Sequence, residues 1–130
     1  MNAKGIKIAA IIAALGVAIG AFGAHGLQKM ITDPKLLDSW ETAVKYQMYH
    51  AFAIAIVAIL QYKFTSKLLA NAIPVFVLGI LLFSGSIYTL VFLKGTSEIG
   101  LGGLGIITPI GGVLLIVGWL MMLFGVKSTK

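Results

Sequence analysis

The sequence predicts an all-α integral membrane protein: a four-helix bundle with a short extracytoplasmic amphipathic segment. Three observations carry that reading. Four apolar stretches are each long enough to cross a bilayer, whose ~30 Å hydrocarbon core takes about 20 helical residues. Only 11% of the 130 residues are charged and 59% are hydrophobic, whereas soluble domains carry about 25% charged residues. The charges fall at the ends of the apolar stretches and not in their interiors. Four spans and their short connections use the whole length, so a single domain over residues 1–130 is expected.

The first span is expected at 6–24, with Lys4 and Lys7 at its start. Ala21-Phe22-Gly23 near its end also fits the small-residue cleavage site of a signal peptide, the alternative to a retained span. Gly16 and Gly20 form a GxxxG pair, a small face that lets another helix approach closely. In the connection that follows, Thr32-Asp33-Pro34 reads as an N-cap with proline at the first helical position. Over 34–43 and into the next span, Leu36, Leu37, Trp40 and Val44 recur at helical spacing. Lys35, Asp38, Ser39, Glu41 and Lys45 take the other face, with Glu41 and Lys45 an i,i+4 pair. Either this segment lies on the outer surface with Trp40 as an interfacial anchor, or it runs into the second span, 44–61, as one long helix.

The third span is expected at 68–93 and the fourth at 104–126, where Gly111, Gly118 and Gly125 recur every seven residues along one packing face. The glycine-rich run 100–105 lacks the lysine and the strand–helix setting of a phosphate loop.

Four spans put both termini and the 62–67 turn on one side. That side holds Lys4, Lys7, Lys63, Lys67, Lys127 and Lys130 without an acid, while the other balances Lys29, Lys35, Lys45 and Lys94 against Asp33, Asp38, Glu41 and Glu98. The lysine bias places both termini in the cytoplasm of a multi-pass protein of the cell (inner or plasma) membrane. The net charge of +6 comes from lysine alone, with no arginine, which favours membrane lipids with anionic headgroups over nucleic acid as the partner. The absence of cysteine excludes disulfides, thiolate metal sites and cysteine nucleophiles.

Threaded in this orientation, the polar residues of the spans collect in one outer layer: His25, Tyr46, Gln47, His50, Ser84, Ser86, Tyr88 and Thr108, with Thr89 and Pro109 nearby. Polar groups in hydrocarbon need partners, so this layer is the candidate site, either as helix-to-helix hydrogen bonds or as the lining of a ligand cavity.

Four ordered segments carry a family resemblance: Gly20-Ala21-Phe22-Gly23-Ala24-His25-Gly26-Leu27, Tyr46-Gln47-Met48-Tyr49-His50-Ala51, Leu82-Phe83-Ser84-Gly85-Ser86-Ile87-Tyr88, and Ile107-Thr108-Pro109-Ile110-Gly111-Gly112 with Gly118-Trp119. Together they resemble the small membrane proteins of domain of unknown function 423, which include animal transmembrane protein 256. The resemblance covers essentially the whole chain. It implies a four-span inner-membrane protein and supplies no catalytic residues.

Three functional classes compete. A non-enzymatic homo-oligomer that supports the envelope through helix and lipid packing leads, because all four acids lie in connections and none is available to couple protons inside the membrane. The alternative is a site for haem, metal or quinone on His25 and His50; two histidines suffice for haem but fall short of the usual zinc set. The cofactor is otherwise left open. An enzyme with Ser84 or Ser86 as nucleophile lacks both the GxSxG elbow and an intramembrane acid.

Overall fold

The computed structural model describes residues 2–97 and 104–127. Glu98, Lys130 and residues 100–103 of the glycine-rich run lie outside the described residues. The chain forms α1 (Ala3–Ala24), α2 (Gly26–Met30), α3 (Pro34–Leu60), α4 (Lys67–Ile80), α5 (Ser86–Ser97) and α6 (Leu104–Gly125), with a π-helical turn, Leu81–Gly85, joining α4 to α5. No strand occurs among the described residues. Four helical stretches are long and apolar enough to cross a membrane: Ala3–Met30, Pro34–Leu60, Lys67–Thr96 and Gly105–Gly125.

Side-chain caps set three of the helix starts. The Asn2 side-chain oxygen accepts from the Gly5 N–H at 3.0 Å, that of Asp33 from Lys35 N–H at 3.0 Å, and the Ser66 hydroxyl oxygen from Leu69 N–H at 3.3 Å. Each satisfies a first-turn donor that has no intrahelical acceptor. Pro34 occupies the first position of α3, where its missing N–H is not needed.

α3 is 27 residues long, so the amphipathic segment and the second span are one continuous helix. Of the two arrangements open to residues 34–43, the surface helix anchored by Trp40 is therefore not the one adopted. Trp40 is buried, and its cluster contains Leu27 and Ile31 from the α1–α2 end and Val91 from α5, with Leu36, Leu37 and Val44 packed against it. An apolar face that finds α1 and α5 has no need of the headgroup region. On the polar face, Lys45 pairs with Glu41 at 3.2 Å. The third span departs from a plain helix at the π turn.

Glycine faces hold the helices close. A Cβ at Gly16 would stand 2.6 Å from the Met48 sulfur, one at Gly20 3.1 Å from Val44, and one at Gly23 2.5 Å from the Trp40 ring, so α1 runs antiparallel along α3. α6 runs antiparallel along α4 in the same manner: a Cβ at Gly118 would stand 2.6 Å from Phe76 and one at Gly125 3.0 Å from the Leu69 nitrogen. Gly111 meets the backbone of Leu82 and Phe83 at the π turn itself. α3 and α4 share the main core, in which Ala53, Ile54, Val57, Leu69, Ile73 and Phe76 interlock. α1 and α6 flank this core and expose apolar faces, among them Ile11, Leu15 and Val17 on α1 and Val113, Ile116 and Leu123 on α6.

The register of the helices brings Lys4, Lys7, Lys63, Lys67 and Lys127 to one end of the bundle, with no acid among the described residues there. Asp33, Asp38 and Glu41 stand at the other end.

Gly111→Ala is expected to destabilise the protein by about 1–3 kcal/mol, because the new methyl meets backbone that cannot step aside. Gly105→Ala, where a Cβ meets open space, is expected to be neutral or stabilising. Unfolding of both variants in mixed detergent micelles checks the contrast.

Candidate functional site

Seven of the eight candidate polar residues resolve into separate hydrogen-bonded groups at different helix contacts. Between α1, α3 and α5, Gln47 uses both ends of its amide: its nitrogen donates to the Ile12 carbonyl at 2.9 Å, and its oxygen accepts from the Tyr88 hydroxyl at 2.7 Å. Gly16 makes this possible, since a larger residue there would hold α1 too far away for Gln47 to reach Ile12. One layer towards the α1–α2 break, the Trp40 indole donates to the Ile19 carbonyl at 3.1 Å, and its ring packs against Tyr88 with centroids 4.7 Å apart.

A second group surrounds the π turn. Ser84, buried, donates to the Ala43 carbonyl of α3 at 2.7 Å. The Ser86 hydroxyl donates to the Phe83 carbonyl at 2.9 Å, so in its 2.5 Å contact with Thr108 the threonine is the donor. Thr89 donates to the Gly85 carbonyl at 2.9 Å. A π turn disturbs the regular ladder of i→i−4 bonds; hydroxyls placed just beyond it serve two carbonyls of the disturbed segment.

The third group centres on His50. The Trp119 indole N–H donates to its Nε2 at 3.0 Å, and an indole nitrogen can only donate. Nε2 is therefore the unprotonated nitrogen, and Nδ1 carries the proton that goes to the Tyr46 carbonyl at 2.6 Å. Both nitrogens of a neutral imidazole are thus engaged. Tyr46 stacks over the ring at 6.0 Å, and Phe76 and Trp119 flank it at 5.7 and 5.9 Å. An open groove of about 670 Å³ between α3 and α6 passes this cluster, lined by Tyr46, Tyr49, Phe83 and Val113 among others.

His25 is not part of any of these groups. It sits exposed at the break between α1 and α2, where its φ of −123° and ψ of −72° end the helix. Gly23 lies against Trp40, and His50 is ten residues further along α3, about 15 Å at 1.5 Å per residue. The structure thus does not bring the two histidines together, and no group of three or more His, Cys, Asp or Glu residues able to hold a metal occurs among the described residues. Nor is any buried side-chain nitrogen or oxygen left without a hydrogen-bond partner among them.

Two features escaped sequence reasoning. Trp119 was visible only as part of a family motif, although an indole N–H deep in an apolar span must find an acceptor, and His50 is the one within reach. The opposite end of the bundle carries a polar clamp: Asn2 donates from its backbone to the Ala58 carbonyl at 3.0 Å and from its side chain to the Gln61 oxygen at 3.0 Å. Asn2 and Gln61 both fall at the edges of spans, where polar residues carry no particular signal.

Trp119→Phe keeps the ring and removes the donor. The expected loss is about 0.6–1.7 kcal/mol of stability. Imidazole ¹⁵N spectra of the unmodified protein are expected to show His50 as the Nδ1–H tautomer, with the Nε2 resonance moving most in the variant.

Comparison with known proteins fits this architecture. The family model described as "Protein of unknown function (DUF423)" matches residues 19–112. The chain is 43% identical over 118 residues to the UPF0382 membrane protein C1782.12c of Schizosaccharomyces pombe, covering 90% of this chain and 96% of that one. It is 44% identical over 118 residues to the UPF0382 membrane protein YwdK of Bacillus subtilis, covering 90% of each. Identity to a UPF0382 membrane protein of Haemophilus influenzae is 35% over 130 residues, covering 100% of this chain and 98% of that one. No solved structure matches. With four apolar helices, a family model matching residues 19–112 and relatives matched over nearly their full length, the chain belongs to the DUF423 (UPF0382) family of membrane proteins.

Proposed function

We propose that this protein is a non-enzymatic, multi-pass component of the cell membrane that supports envelope integrity through helix packing and lipid contacts. In this reading both termini face the cytoplasm and residues 34–43 lie at the extracytoplasmic end. The observation that carries it is that, among the described residues, no buried side-chain nitrogen or oxygen lacks a hydrogen-bond partner. Gln47, Ser84, Ser86, Tyr88 and Thr108 spend their polar atoms on other helices or on the π turn, and Trp119 occupies the His50 nitrogen that the Tyr46 carbonyl leaves open. Groups bonded in this way fix helices rather than act on a substrate. The orientation is supported by the five lysines at the end that carries Lys4, Lys63 and Lys127. Self-association is supported by the apolar faces of α1 and α6, which the fold leaves uncovered.

The test is complementation in a bacterium lacking its own copy, with dye entry after osmotic downshift as the measure of membrane integrity. The deletion strain is expected to leak and the wild-type gene to restore it. His25→Ala, at an exposed position, is expected to restore fully; Gly111→Leu, which pushes α6 off the π turn, is expected to fail. A folded, membrane-inserted His25→Ala protein that does not restore would overturn the reading. So would native mass spectra in which the protein retains haem, quinone or metal; the spectra expected show an oligomer carrying phospholipid alone.

A further inference from the structure

At the lysine-rich end, α1 and α4 enter the bundle side by side and in the same direction. They meet where Gly5 packs on Ile73, whose terminal carbon lies 2.9 Å from a Cβ built at Gly5. Beside this contact lies an open crevice of about 430 Å³. One wall comes from the cap residue Asn2 and from Lys4, Gly5 and Ile8 of α1, and the other runs along α4 from Ala70 through Pro74 and Leu78 to Leu81, the first residue of the π turn.

Three properties of this crevice point to one occupant. The first is depth. From Ala70 to Leu81 the α4 wall descends about 16 Å at 1.5 Å per residue, close to half of a ~30 Å hydrocarbon core and hence to one leaflet. The second is polarity along that depth. Below Gly5 the walls are Ile8, Ile73, Val77, Leu78 and Leu81, all apolar, while the polar groups Asn2 and Lys4 stand at the mouth. The third is charge. Lys67 lines the neighbouring crevice with Gly125 and Lys127, and it lies three residues before Ala70 and seven before Pro74, within side-chain reach of the mouth by helical spacing. Lys4 and Lys67 are both exposed, and no acid stands at this end of the bundle among the described residues.

We propose that this crevice is a binding site for one anionic phospholipid, with an acyl chain along α4 and the phosphate between Lys4 and Lys67. The site rests on reading the lysine-rich end as a membrane surface, though not on the envelope role proposed above. A lipid seated here would fill the space beside the Gly5–Ile73 contact, between the entry turns of α1 and α4.

Native mass spectrometry of the purified protein in mild detergent tests this, with phosphatidylglycerol and phosphatidylcholine of the same chain length added at equal concentration. The wild type is expected to retain one phosphatidylglycerol at least fivefold more often than phosphatidylcholine. Lys4→Gln with Lys67→Gln is expected to remove the preference, whereas Lys29→Gln with Lys94→Gln, which takes the same charge from the other end, is expected to keep it. Ala70→Phe, at an exposed position in the wall, is expected to lower retention of both lipids at the first site. Millimolar inorganic phosphate is expected not to displace the lipid, because the chain contributes to binding; displacement would make the site one for free anions and overturn the proposal. Equal retention of the two lipids by the wild type, an unchanged Ala70→Phe, or the same loss from both lysine pairs would each overturn it as well. None of these results bears on the complementation experiment, so this site and the envelope role fail independently.

Discussion

Inside a hydrocarbon layer there is no water to complete a hydrogen bond, and this one constraint accounts for the placement of nearly every polar atom in the bundle. The need is sharpest where the backbone ladder is disturbed. At the π turn, Ser86 and Thr89 serve the carbonyls of Phe83 and Gly85, and Gly111 lets α6 press directly on the turn's backbone. Where polar side chains face a neighbouring helix they reach its carbonyls, as Gln47, Trp40 and Ser84 do. These bonds need close approach, and glycine supplies it. Gly16 beside Gln47 and Gly23 beside Trp40 place small residues where side chains must cross between helices.

The same constraint explains why histidine chemistry is not apparent in the geometry. An imidazole buried among Tyr46, Phe76 and Trp119 is most cheaply kept neutral, with each nitrogen bonded once, and this is the state the indole donor and the Tyr46 carbonyl specify. His25 is free of such partners but lies at the bundle's edge, where it terminates a helix.

Much of this was legible in the sequence. The number of apolar spans, the Asp33-Pro34 start of α3 and the Glu41–Lys45 pair all follow from rules acting over one or two helical turns, and those rules depend on the immediate neighbours. What could not be read depends on partners far apart in the chain. Whether 34–43 lies on a surface or continues the span is decided by α1 and α5, which cover Trp40. That the layer is several bonded groups rather than one cavity follows from the rotation of each helix, which no local pattern sets. The π turn was hidden because Leu81–Gly85 has an ordinary apolar composition with one serine. The Trp119–His50 bond joins residues 69 apart in the chain.

The order in which the chain is made matches the order in which its helices pair. α1 finds its glycine-lined partner in α3, the next long helix to be synthesised, and α4 finds its own in α6. No span waits for a distant one, so each pair can close soon after its second member has entered the membrane. Bonds between the two pairs, from Ser84 to Ala43, Tyr88 to Gln47 and Trp119 to His50, require all of the spans that bear them. The glycine contacts within each pair need only that pair, whereas these polar bonds and the α3–α4 core need both.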